Sequence, residues 1–124
     1  MIRANREFKK QLISRAYRLA LDGIKTVESL PNKRVIWVPG DQFLRSITSI
    51  GANIVEAQAA SSKKDFINFL TYALKSANET KFWIGLMRDS GYLDKETADN
   101  LLNETEELCK ILGSSILRLK GKKA

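Results

Sequence analysis

The sequence predicts an all-α protein: an antiparallel up-down-up-down four-helix bundle, with residues 1–124 forming one domain. Three observations predict it. Apolar residues recur at helical spacing through most of the chain. Both prolines, Pro31 and Pro39, fall in one short segment, so the remainder is free to form long helices. Turn-forming residues gather at three places, which divides the chain into four long pieces joined by short second and third connections.

The first helix is expected from about Asn5 to Ser29. Phe8, Leu12, Ala16, Leu19, Val27 and Leu30 form its apolar side, widened by Ala20 and Ile24. Leu30 to Gly40 reads as a connection, with Val35–Val38 extended and packed across one end of the bundle. Its Trp37 has two readings. Indole area is valuable in a small core and favours a buried anchor, which is the expectation; stacking on a nucleobase beside Lys33 and Arg34 is the alternative.

The second helix is expected to start near Asp41, a good N-cap after Gly40. Phe43, Leu44, Ile47, Ile50, Ile54 and Ala57 make its apolar stripe, and Ser46, Ser49, Asn53 and Glu56 an adjacent polar seam. Gly51 and Ala52 would let another helix approach closely. Ser62-Lys63-Lys64-Asp65 resembles a capping box and opens a third helix running to about Asp89, roughly 40 Å long. Its core face is Phe66, Phe69, Leu70, Ala73, Ala77, Thr80 and Ile84. Gly91 suits a left-handed cap and Asp94 the next N-cap. Leu101, Leu102, Leu108, Ile111, Leu112, Ile116 and Leu119 then build the last apolar side, with Cys109 as a small buried hydrophobe among them.

Composition bounds the function. There is no histidine, which removes Ser-His-Asp or Cys-His hydrolysis and the Glu-x-x-His ligands of di-iron bundles. One cysteine supports neither an intramolecular disulfide nor a structural zinc site. The expectation is a non-enzyme with no cofactor and no metal, cytoplasmic and without a membrane partner, because neither a secretory signal nor a spanning segment is evident. The formal charge of +7, from 21 basic and 14 acidic residues, favours a polyanionic partner.

Candidate contacts follow from the placement of that charge. Arg3, Lys10, Arg18 and Lys25 recur at seven- and eight-residue steps on one side of the first helix. They form either a solvated face or a ridge that tracks phosphates. Lys33 and Arg34 flank Trp37. Arg118, Lys120, Lys122 and Lys123 concentrate charge in a short basic tail at 118–124. That tail complements the helix dipole or serves as a polyanion-binding extension.

Two stretches resemble a known family. Ser49-Ile50-Gly51-Ala52-Asn53-Ile54-Val55-Glu56 matches its second-helix pattern; Phe69-Leu70, Ala73, Ser76, Glu79 and Gly91-Tyr92 match its third. The chain, from about Arg6 to Leu119, is similar to the four-helix bundles encoded by intervening sequences within bacterial 23S ribosomal RNA genes. The family usually follows its second-helix Glu with Gly and a nearby Arg. Here Ala57-Gln58-Ala59-Ala60 stands instead, and the Val35–Gly40 segment is also unusual. Leu112-Gly-Ser-Ser-Ile-Leu-Arg118 looks like the end of the last helix in a related group, the accessory proteins of diversity-generating retroelements.

The resemblance implies a homo-oligomer, a pentamer, associated with nucleic acid, RNA in preference to DNA. It also implies an alternative: a protein-interaction scaffold serving a reverse transcriptase. Glu56 and Glu79 are the tempting carboxylate pair. With a hairpin turn near residue 60, Glu79 would lie level with about Asp41, roughly 25 Å along the axis from Glu56. Asn53, Glu56, Ser76 and Glu79 are therefore expected to fix helix register, loop contacts or subunit contacts.

Overall fold

The computed structural model describes residues 2–122, with side chains from residue 6 onward. Four helices follow in order: α1 (Ile2–Glu28), α2 (Arg34–Ala57), α3 (Lys63–Asp89) and α4 (Lys95–Leu119). Contacts fix their directions. Ala16 lies against Gly51, Gly23 against Ile47 and Leu30 against Gly40, so α2 descends as α1 rises. Lys81 pairs with Glu106 and Asn78 meets Cys109, so α4 runs opposite to α3. Arg15 reaches Glu104 and closes α4 back onto α1 at 2.8 Å. The bundle is all-α and up-down-up-down.

Each stop has a local cause. Gly91, at φ 87°, forms a Schellman cap: its amide donates to the Arg88 carbonyl, and Tyr92 N–H reaches back to Met87 at 2.9 Å. Asp94 then caps α4 by accepting from the Thr97 amide at 3.1 Å. Ser62 accepts from Asp65 N–H at 3.0 Å, as the capping-box reading requires. The return bond differs: the Asp65 carboxylate accepts from Ser61, one residue before the cap. Gly121 closes α4 with a second Schellman cap, in which Lys122 N–H donates to the Leu117 carbonyl at 2.8 Å. Arg118 therefore belongs to the last turn of α4, and Lys120 is its C-cap.

Three expectations about this region are corrected. Helix α2 starts at Arg34, not at Asp41, and Val35–Val38 is helical rather than extended. Pro39 sits in the second turn, where its missing N–H removes one bond, to the Val35 carbonyl. Burial of Ile36 and Gly40 continues the Phe43–Ile47 stripe at helical spacing and outweighs that loss. Trp37 is not a buried anchor. It is 53% exposed, and its indole donates to Asn32 Oδ1 at 3.1 Å.

On α1 the buried stripe is Leu12, Ala16, Leu19, Gly23 and Thr26, while Phe8 and Ile24 are exposed. Close approach is the reason. A Cβ on Gly23 would lie 2.6 Å from Ile47 Cγ2, and one on Gly51 would lie 3.4 Å from the Ala16 Cβ. Small residues thus define where α1 meets α2. On the other side of α2, Thr80 Oγ1 lies 2.9 Å from Ser46 Oγ, with both residues buried. This hydroxyl pair sits between α2 and α3. The single Thr80 proton serves either Ser46 or the Ser76 carbonyl at 2.7 Å, and Ser46 donates to the Phe43 carbonyl. Among the described residues no buried side-chain nitrogen or oxygen lacks a partner.

The Ser46–Thr80 contact also resets the carboxylate geometry. Glu79 lies level with about Ile47, so it stands roughly 14 Å along the axis from Glu56 rather than 25 Å. The two are still too far apart to share a proton.

Candidate nucleic-acid interface

The antiparallel topology sorts charge by end. One end of the bundle holds the start of α1, the end of α2, the start of α3 and the end of α4. Dividing the helices after Ser14, Ala52, Lys75 and Glu107 separates the two halves. In the first half, α1 supplies Arg6, Lys9 and Lys10. Helix α3 supplies Lys63, Lys64 and Lys75, and the end of α4 supplies Lys110, Arg118, Lys120 and Lys122. Against these ten cations stand three acids: Glu7, Glu56 and Asp65.

The other half is mildly acidic, with nine cations and eleven carboxylates. There four of the nine cations are paired: Arg15 with Glu104, Lys81 with Glu106, Arg88 with Asp89 and Asp99, and Lys95 with Asp99. Hydrogen bonds from Thr97 hold the Asp94 carboxylate below its ordinary range. Arg88 does the same to Asp89, and Lys81 to Glu106. In the basic half, among the described residues, Lys110 alone forms an ion pair, a long one of 3.9 Å with Glu107 across the dividing line. The remaining cations face solvent and one another, so their fields add.

The sequence-predicted contacts do not gather at one place. Lys10, Arg118, Lys120 and Lys122 lie exposed at the basic end. Arg18 is exposed near the middle of α1. Lys25, Lys33 and Arg34 are exposed at the opposite end, near Asp22, Glu28 and Asp41 in the chain. The Arg3 side chain and Lys123 lie outside the described residues. Arg6, Lys9, Lys63, Lys64, Lys75 and Lys110 are not singled out by the sequence. Lys63 and Lys64 are legible as part of a helix start; only the fold brings them beside the first turns of α1.

The basic end also has a concave feature. A cavity of about 790 Å³ opens between all four helices. Leu12, Ile54 and Leu70 form its floor, and Phe8 and Phe66 stand as aromatic walls. Lys9, Lys63 and Arg118 line it together with Gln58 and Ser115. Lys9 Nζ sits 5.5 Å from the Phe66 ring centroid, a cation–π contact.

The family-pattern residues occupy another surface. Asn53 and Ser76 are half-buried, and Glu56 and Glu79 exposed. Helical geometry places them along the outer side of the α2–α3 pair, beyond the Ser46–Thr80 contact. Asn53 donates to the Ser49 carbonyl at 2.9 Å within its own helix, and Glu79 accepts from the Trp83 indole at 2.9 Å. Nearby on α3, Tyr72, Phe82 and Leu86 are exposed. Cys109 is buried, and that burial pushes its thiol up, away from thiolate chemistry. No group of three or more Cys, Asp or Glu among the described residues is arranged to hold a metal. No helix there is long and apolar enough to cross a membrane.

The fold has a known counterpart. A crystal structure of a protein of unknown function, from the S23 ribosomal protein family of Bacteroides thetaiotaomicron VPI-5482, matches this fold with a TM-score of 0.80. It is 39% identical and covers 85% of this chain and 97% of its own. No curated protein matches. Residues 9–114, nearly the whole bundle, match the description of 23S rRNA-intervening sequence proteins, and the chain belongs to that family.

Proposed function

We propose that this protein is a non-enzymatic, homo-oligomeric nucleic-acid-binding bundle that contacts the phosphate backbone, of RNA in preference to DNA, through its basic end. The observation that carries the reading is the segregation of ten largely unpaired cations against three acids in one half of the molecule. Such a surface attracts a polyanion and releases its counterions. Nothing in the arrangement resembles a helix that reads bases in a groove, so sequence preference is weak.

Assembly is supported by exposed apolar side chains on two separate faces. Tyr72, Phe82 and Leu86 project from α3, and Tyr17, Leu21 and Ile24 from α1. Copies joined through such faces would multiply the basic ends and raise avidity. The number five rests on family resemblance. The same apolar faces favour a second reading, a protein-interaction scaffold such as an accessory subunit of a retroelement reverse transcriptase.

Binding to structured RNA and duplex DNA across a salt series, with mass determined by light scattering in the same samples, tests both. A multimer whose affinity falls steeply with salt is expected. A multimer that ignores both nucleic acids at low salt leaves the scaffold reading.

A further inference from the structure

We infer that the cavity at the basic end accepts an unpaired nucleobase, so that the protein prefers single-stranded nucleic acid to a continuous duplex. This rests on the nucleic-acid reading above and assigns that surface a ligand class. Charge alone does not distinguish strand type, because a duplex presents phosphates at higher density. The cavity supplies the distinction. Its volume of about 790 Å³ lies in the range of small-molecule sites. Of its two phenylalanine walls, Phe8 is 44% exposed and offers a ring face to a base, while Phe66 forms the opposite wall with Lys9 over its ring.

Lys9, Lys63 and Arg118 line the same cavity and reach the phosphates on either side of an inserted base. A base resting against Phe8 and Phe66 keeps its polar edges toward the open mouth and water. Gln58 is exposed there, and its amide nitrogen is committed to the Ile54 carbonyl, which leaves the side-chain oxygen as an acceptor for a base edge. A paired base reaches this depth only by unstacking, an unfavourable step that weakens duplex binding. Single strands, bulges and ends avoid it.

An acyl carboxylate is the competing occupant of an apolar cavity with a cationic rim. It needs one positive charge, whereas this end presents ten cations and two aromatic walls. That excess matches a polyanion carrying aromatic groups.

The test compares a short oligoadenylate with a blunt RNA duplex of equal phosphate count at one low salt concentration. Wild-type protein is expected to hold the oligoadenylate roughly tenfold tighter. Phe8→Ala is expected to remove that preference by weakening the single strand alone, and Phe8→Trp to keep it. Phe8 is 44% exposed and lies outside the buried core, so its replacement is expected to leave the bundle folded; a melting curve checks this. Independently of any variant, ring-current shifts of adenine protons and contacts to the Phe8 and Phe66 rings in wild-type protein are expected by NMR. Equal affinities, with no such shifts, would overturn the inference and leave the proposed function intact. Binding of neither ligand would overturn both. Stoichiometric displacement of the oligoadenylate by decanoate, with decanoate signals on the cavity methyls, would overturn the inference and assign the cavity to acyl anions.

Discussion

The two ends of this bundle contrast in charge and in packing. At the mixed end the charges nearly balance, Arg15 and Lys81 pair with carboxylates of α4, and Gly23 of α1 packs directly onto Ile47. At the basic end the cations are largely unpaired, and the four helices leave a cavity between them. One end is organised for cohesion. The other retains like charges in proximity, a cost to stability that a bound polyanion would relieve.

The largest expected effect comes from reversing charge at each end. A triple variant, Lys9→Glu, Lys63→Glu and Arg118→Glu, is expected to weaken RNA binding by at least about a hundredfold. Its salt slope is expected to flatten by roughly one for each phosphate that is no longer neutralised. The matched triple Lys25→Glu, Lys33→Glu and Arg34→Glu at the mixed end is expected to change affinity by only a few-fold. Filter binding or anisotropy across a salt series measures both. Equal weakening by the two triples would end the contrast.

Packing gives the next largest effect. Gly23→Ala forces a methyl within 2.6 Å of Ile47 Cγ2. That atom is carried on a stiff β-branched side chain, so the backbone must move, at about 1–3 kcal/mol. Gly51→Ala meets Ala16 at an ordinary 3.4 Å and gains helix propensity of about 1 kcal/mol, so it is expected to be neutral or stabilising. Urea denaturation distinguishes the two, and a destabilising Gly51→Ala would contradict the looser packing at that point of the α1–α2 contact.

A smaller effect is expected from Ser46→Ala. Thr80 retains the Ser76 carbonyl as acceptor, so the variant forfeits one buried hydrogen bond, about 0.5–1.5 kcal/mol. Unchanged denaturation would show that the hydroxyl pair adds nothing to the α2–α3 contact.

The smallest effect is acid sensitivity confined to the mixed end. Asp94, Asp89 and Glu106 are each held below the ordinary carboxylate range by their hydrogen-bond partners. A carboxylate lowered on folding contributes stability above its unfolded value, and this contribution is lost as pH falls through the folded one. Hydrogen exchange in the first turn of α4 is therefore expected to accelerate below the ordinary carboxylate range. An equal acceleration throughout α1 would argue against a local origin.

Much of the fold is legible in residue spacing. The third and fourth helices and the caps at Ser62, Gly91 and Asp94 stand where the sequence analysis places them, because local chemistry determines them. The start of α2 is misplaced there because Pro39 reads as a boundary. The contrary signal is present: Ile36 lies four residues before Gly40 and seven before Phe43, continuing the buried stripe. Phe8 reads as core because periodicity tells which side of a helix a residue occupies, not whether a neighbour covers it.

The candidate site is legible only in fragments. Lys10, Arg118, Lys120 and Lys122 stand out in the sequence, but alongside Lys25, Lys33 and Arg34, which the bundle sends to the other end. The helical class, the caps, the net charge and the absence of histidine follow from the amino-acid order without any packing. Those properties belong to single residues or to neighbours within a few turns. Packing is what places Lys9, Lys63 and Arg118 around one cavity and sets Gly23 against Ile47. It also pairs Ser46 with Thr80. These contacts join residues dozens of positions apart, and antiparallel packing, rather than any local preference, sets which ends of the helices coincide.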